Sequence, residues 1–275
     1  MNRLLRSIFP PNAEVASLPL VFLSMAFVAV LQMPAQALVR AGWVSAGVAV
    51  NEIFAVAGVP LALIWALDLR LKRLVNFSPL RAPRVLFVVL ATMGAVVMID
   101  YATHASEIFM PIPDSVGDAY AKLMETKGAW QIAAKLVSLC ALPAICEEIY
   151  FRGFCLTSIE ARLGRWPAII VSALIFSAMH GNIWYAHLYF LLGVLLGWVY
   201  CSTGSLFAAV LCHFINNAWT FLNYVRGFKL PVSERFNSTD AAFMALACAV
   251  LAISLYELRR RSFPSCASRK RPPLR

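Results

Sequence analysis

Apolar runs close to the ~20 residues needed to cross about 30 Å of hydrocarbon recur along this chain, parted by short polar segments. They fall at 15–38, 43–67 and 85–101, then in a fourth run starting near Trp130, then at 167–180, 185–201, 206–225 and 241–256. Lipid cannot satisfy backbone N–H and C=O groups, so each run must satisfy its own as a helix. The pattern predicts an all-α fold: a polytopic membrane helix bundle of about eight transmembrane helices. The polar or Pro-bearing segments at 70–84, 102–128 and 226–240 read as loops.

Charge gives the bundle an orientation. Arg70, Lys72, Arg73, Arg81 and Arg84 separate the second and third runs, and Arg162 and Arg165 follow the fourth. A basic tail, with Arg259, Arg260, Arg261, Arg269, Lys270, Arg271 and Arg275, follows the last run. Between the third and fourth runs acidic residues prevail: Glu107, Asp114, Asp118 and Glu125 against Lys122 and Lys127. Placing both termini in the cytoplasm puts every strongly basic connection on the cytoplasmic side, where such residues collect. Arg3 and Arg6 agree, while Arg226, Lys229 and Arg235 fall outside, diluted by Glu234 and Asp240. Arg3 and Arg6, an apolar run and Ala35-Gln36-Ala37 also resemble a secretory signal, but the run exceeds the usual h-region of roughly 7–15 residues and reads as an uncleaved first span.

Composition agrees with the bilayer as solvent. Of 275 residues, 61% are hydrophobic and 14% charged, and mean hydropathy is +0.73, whereas a soluble domain carries about 25% charged residues. The net charge of +10 is concentrated in the tail and in span-flanking loops, which excludes nucleic acid as the expected partner and points to anionic lipid. The 7 cysteines contain no CxxC pair and read as small buried hydrophobes rather than disulfides or zinc ligands.

Candidate chemistry interrupts the apolar text at three places. Glu147 and Glu148 lie in the fourth run, where an ionised carboxylate at the membrane centre costs at least about 2.5–3.5 kcal/mol. Glu148 and Arg152, four apart, share a helix face and can pair, while Glu147 points about 100° away. Glu147 is thereby left free to face a cavity as a proton acceptor; read alone, the pair equally suits an interhelical bridge. His180 closes the fifth run, and His213 and Asn217 occupy i and i+4 of the seventh. Any one of these suits interhelical glue, but three such segments suit a hydrolytic site. Glu147 and His180 would act on water, and His213 and Asn217 would donate to the oxyanion of a tetrahedral intermediate. The same atoms allow a second scheme in which Glu147, His180 and His213 ligate zinc with water in the open position, although no HExxH helix is present. For Glu147 to meet His180 inside the membrane, the fourth helix must continue past Arg152 towards Arg162, with Pro143 able to bend it. Asn51 and Glu52 in the second run and Asp100 in the third are further intramembrane polar candidates; Glu52 fits either a cavity wall or a pair with a neighbouring helix. His104 and His187 read as structural.

In this order, EExxxR (Glu147, Glu148, Arg152), FxxxH (Phe176, His180) and HxxxN (His213, Asn217) resemble the CPBP or Abi family. That family includes type II CAAX prenyl endopeptidases and bacterial relatives linked to peptide maturation. The resemblance implies N-terminal helices and loops over 1–128, a catalytic helix core over 129–225, a C-terminal transmembrane helix over 226–258 and a basic cytoplasmic tail over 259–275. It also implies an intramembrane protease with Glu147, His180, His213 and Asn217 catalytic and Glu148 and Arg152 in support. The substrate it implies is a membrane-associated or lipidated peptide or protein tail. A glutamate-activated water without metal is the scheme the family favours; zinc at the same residues, or a non-catalytic scaffold or immunity factor of this fold, are the alternatives.

Overall fold

The computed structural model describes residues 13–227 and 236–260, and every regular element within them is helical. Arg3, Arg6, Lys229, Arg235 and the tail beyond Arg260 lie outside the described residues. Helix α1 (Leu18–Arg40) starts at Ser17, whose hydroxyl accepts from the Leu20 N–H, with proline in the first turn. Helix α2 (Val44–Ala66) returns alongside it. After a single turn at Leu71–Leu74 comes α3 (Ala82–Phe109).

The 102–128 segment, expected as a loop, is largely helical. Helix α3 runs on to Phe109, and a separate amphipathic helix, α4 (Asp114–Met124), starts after Pro113 with Asp114 in its first turn. A search for long apolar runs misses such a helix because only one of its faces is apolar.

The fourth run is helical throughout 129–163 and forms α5, which continues past Arg152 as the depth of Glu147 required. Two stretches of it, Leu136–Ala141 and Ile149–Leu156, are wound in the wider i→i+5 manner. The first ends just ahead of Pro143, whose missing N–H cannot bond the preceding turn. Gly164 (φ +84°) ends α5 in a conformation costly for any residue with a Cβ, and α6 (Arg165–Met179) starts at the next residue. Helices α7 (Ala186–Thr203), α8 (Leu206–Arg226) and α9 (Ser238–Arg260) complete the bundle.

Helices α1, α2, α3, α7 and α9 are long and apolar enough to cross a membrane, and α6 is apolar but shorter. Helix α8 has 21 residues, but His213, Asn216 and Asn217 break its apolar run. The chain is an integral membrane protein, all-helical in its described residues.

Side-chain and backbone ties gather one set of helix ends. Arg70 and Arg73 both pair with Glu14. The Asn76 side chain donates to the Gly204 carbonyl at 2.7 Å, and the Leu206 N–H donates to Asn76 at 2.7 Å. The Ser158 hydroxyl accepts from the Ala16 N–H at 3.2 Å. The start of α1, the 68–84 connection, the end of α5 and the α7–α8 turn therefore share one end of the bundle. That end carries Arg70, Lys72, Arg73, Arg81, Arg162 and Arg165. The opposite end carries α4, whose Tyr120 is hydrogen-bonded to Tyr189 of α7, and the start of α9. There Asp240, fully buried, accepts from the Tyr101 hydroxyl at 2.9 Å and from the Asn237 N–H at 3.0 Å.

Gly153 packs directly on the Leu74 carbonyl, with no room for a Cβ. Gly153→Ala is expected to lower the melting temperature in detergent, because a backbone atom must move and overpacking costs about 1–3 kcal/mol. Gly117→Ala, with nothing within 4 Å, is expected to leave it unchanged or slightly raised in the same thermal-unfolding measurement.

Candidate active site

Neighbouring positions on α5 send the two glutamates to different surroundings. Glu148 is fully buried and binds the equally buried Arg152 one turn on, Nη1 to Oε1 at 2.8 Å. The guanidinium also donates from Nη2 to the Gly193 carbonyl at 3.0 Å and lies 4.8 Å from the centre of the Phe176 ring. Charge pairing, a backbone acceptor and an aromatic face replace part of the hydration it has lost, while its Nε is buried without a hydrogen-bond partner. Gly193 sits against the Ala173 backbone, so α6 and α7 are close-packed where the guanidinium meets them.

Glu147 instead lines a cavity of about 440 Å³. His180, His213 and Asn217 line the same cavity, so the structure brings together the residues picked from three separate runs. His213 Nε2 lies 3.9 Å from Glu147 Oε2, while its Nδ1 is 2.9 Å from Glu148 Oε1. One imidazole thus spans the two carboxylates. Glu148 fixes the ring, and Nε2 is the atom presented towards Glu147. His180 is oriented by other means: its Nδ1 bonds the Phe176 carbonyl at 2.8 Å, and its ring stacks on Tyr189 with centroids 3.9 Å apart. The Phe176 ring packs against both imidazoles, 4.6 Å from His180 and 5.8 Å from His213. The phenylalanine of FxxxH is therefore the spacer between the two histidines.

Asn217 Oδ1 accepts from Asn216 Nδ2 at 3.2 Å, which leaves the Asn217 amide N–H groups for the cavity. Asn216 lines it too. Tyr150 forms part of the wall, tied to α1 by a 2.9 Å hydrogen bond to Ser24. From Glu147 the cavity extends past Gln32, Gln36 and Val39 of α1 to Tyr120, Leu123 and Met124 of α4. It therefore reaches towards the end of the bundle opposite the basic loops. Burial pushes the Tyr120 phenol upward, so it stays neutral at this mouth.

Sequence reasoning paired Glu148 with Arg152 alone. The contact with His213 joins residues 65 apart, a relation no spacing along one helix encodes. Glu52 and Asn51 also line the cavity. Asp100 does not; it accepts from the Trp219 indole at 3.0 Å and ties α3 to α8. His104 and His187 are likewise outside the cavity lining. Among the described residues no three His, Cys, Asp or Glu side chains are grouped to hold a metal ion. Each histidine engages Nδ1 with a protein oxygen, which leaves its Nε2 for the cavity, and His213 Nε2 lies 3.9 Å from Glu147 Oε2. The 6 described cysteines are all free.

Residues 129–219 match the family model described as type II CAAX prenyl endopeptidase Rce1-like. No curated protein and no solved structure matches the chain. The matched segment contains Glu147, Glu148, Arg152, Phe176, His180, His213 and Asn217.

Arg152→Met strands the Glu148 charge in apolar surroundings and is expected to destabilise the protein by about 3–5 kcal/mol. The double variant Glu148→Gln/Arg152→Met removes both charges and is expected to recover part of that loss. Melting temperatures of the two variants in one detergent check the order.

Proposed function

From the CAAX-protease-like family to which residues 129–219 belong, we propose that this protein is an intramembrane endopeptidase acting on a membrane-associated or lipidated peptide. The observation that carries the reading is the single cavity shared by Glu147, His180, His213 and Asn217, with Glu147 facing the Nε2 edge of His213. A partly buried acid, two oriented imidazoles and carboxamide N–H groups are the parts that water-mediated acyl transfer needs.

Glu147 takes a proton from a water held between it and His180. The resulting hydroxide adds to the scissile carbonyl carbon. Its oxygen becomes an oxyanion, which accepts from the Asn217 amide and from the Nε2–H of His213. Glu148 holds that ring in place from the opposite nitrogen. Collapse breaks the C–N bond, and the proton carried by Glu147 passes to the departing amine. No step is routed through a metal.

We also propose eight crossings, with α5, α6 and α8 completing the set, and both termini in the cytoplasm. Under the positive-inside rule the end bearing Arg70, Lys72, Arg73, Arg81, Arg162 and Arg165 is cytoplasmic. The cavity then extends towards the other face, beneath α4. The alternative reading, a scaffold or immunity factor that binds a membrane peptide without cutting it, predicts capture of the peptide with no hydrolysis.

Glu147→Gln is expected to abolish cleavage of lipid-anchored peptides by the purified protein in detergent, while the fold persists. Asn217→Ala is expected to lower kcat about 10²–10³-fold with little change in KM. Peptide binding without cleavage by both wild type and Glu147→Gln would overturn the enzyme reading. Chelator treatment is expected to leave the rate unchanged; loss of activity restored by added zinc would overturn the metal-free scheme.

A further inference from the structure

The cavity holds a second carboxylate that the hydrolytic scheme leaves unused. Glu52 comes from the widened stretch Asn51–Ala57 of α2, lines the same cavity as Glu147, and is only 4% exposed. Its Oε1 accepts from the Asn51 side chain at 2.9 Å, whereas its Oε2 is buried with no hydrogen-bond partner. It is near enough to Glu147 for the two carboxylates to interact electrostatically. The α2 stretch bearing it packs on the part of α5 that carries Glu147.

Among the described residues the lining contains no lysine or arginine. Arg152, the guanidinium on the same helix as Glu147, is turned away to Glu148 and the Gly193 carbonyl. Beyond the two imidazoles assigned above to water and oxyanion, the remaining polar lining is amide and hydroxyl. A buried carboxylate oxygen without a donor is costly, and so is a pair of carboxylates in one enclosed space. A proton or a cation can supply the missing complement, and the open volume beside Glu52 is where a substrate would bring the cation.

A tail of the C-a-a-X type ends in a free carboxylate close to its modified cysteine. Placed among Glu52 and Glu147, that third carboxylate would meet repulsion, with no lysine or arginine among the described lining residues to offset it. We infer that Glu52 determines specificity, selecting segments that carry a protonated amine or guanidinium within a few residues of the scissile bond and disfavouring a free C-terminal carboxylate there. The amine is a lysine side chain or a free amino terminus, and the guanidinium is an arginine. This inference rests on the endopeptidase reading above and narrows its substrate.

The test uses the purified full chain in detergent micelles and a synthetic library of peptides bearing one alkyl chain, with cleavage products read by mass spectrometry. Glu147→Ala identifies the cuts that belong to the site. Among those cuts, lysine, arginine or a free amino terminus is expected to be enriched on one side of the bond. Matched pairs then separate the sources: lysine against norleucine, free against acetylated amino terminus, and C-terminal acid against amide. Neutralising the substrate cation is expected to lower kcat/KM about tenfold or more in wild type. In Glu52→Gln the two members of each cationic pair are expected to be cut at equal rates, a cancellation that a merely misfolded variant would not produce. Capping the C-terminal acid as an amide is expected to speed cleavage in wild type. Glu147-dependent cleavage indifferent to the cation and to Glu52 would overturn this inference and leave the endopeptidase reading standing. Absence of any Glu147-dependent cleavage would remove both.

Discussion

A guanidinium with no access to solvent sets the terms for the rest of this molecule. Arg152 is fully buried, and removing such a charge from water without compensation would cost several kcal/mol. Compensation comes from three directions: Glu148 on its own helix, the Gly193 carbonyl of α7, and the Phe176 ring of α6. Helices α5, α6 and α7 must therefore meet around one point. Glu148 also fixes His213 of α8, which brings in a fourth helix. The charge cluster that looks like a burden on stability is what registers the four helices against one another, and registration of helices is the best-attested use of buried polar groups.

From that cluster the division of labour between the glutamates follows. Glu148 has its Oε1 shared between Arg152 and His213 and is not part of the cavity lining. Glu147, one residue earlier, is rotated by about 100° and faces the cavity. Six residues further on, roughly 9 Å along the axis, Gly153 meets the Leu74 carbonyl at the basic end of the bundle. The site therefore lies between the basic end and α4, to which His180 is linked through Tyr189 and Tyr120, and its cavity extends towards α4.

Much of this was legible in the sequence because bilayer physics makes apolar length informative and intramembrane charge rare. The runs that became α1, α2, α3, α7 and α9 were each visible as text. So was the continuation of α5 beyond Arg152, since Glu147 would otherwise have lain far from His180. Contacts between helices were not legible. The His213–Glu148 bond, the Phe176 ring between the two histidines and the presence of Glu52 beside Glu147 depend on how separate segments pack, which spacing along one helix does not encode. Helix α4 was missed for a different reason: its polar half resembles a loop when only apolar length is read.

The widened stretches at Asn51–Ala57, Leu136–Ala141 and Ile149–Leu156 flank or carry the cavity's acidic residues. Each accommodates more chain per turn than an ordinary α-helix, as a residue inserted into a regular helix would. Removing one residue from such a stretch would let it relax to α geometry while the helix beyond keeps its face, whereas the same deletion in an ordinary α turn would rotate everything beyond it by about 100°. Length is thus most tightly constrained in the regular turns that separate these stretches from the residues they orient. A one-residue change there would leave familiar letters aimed at the wrong neighbours.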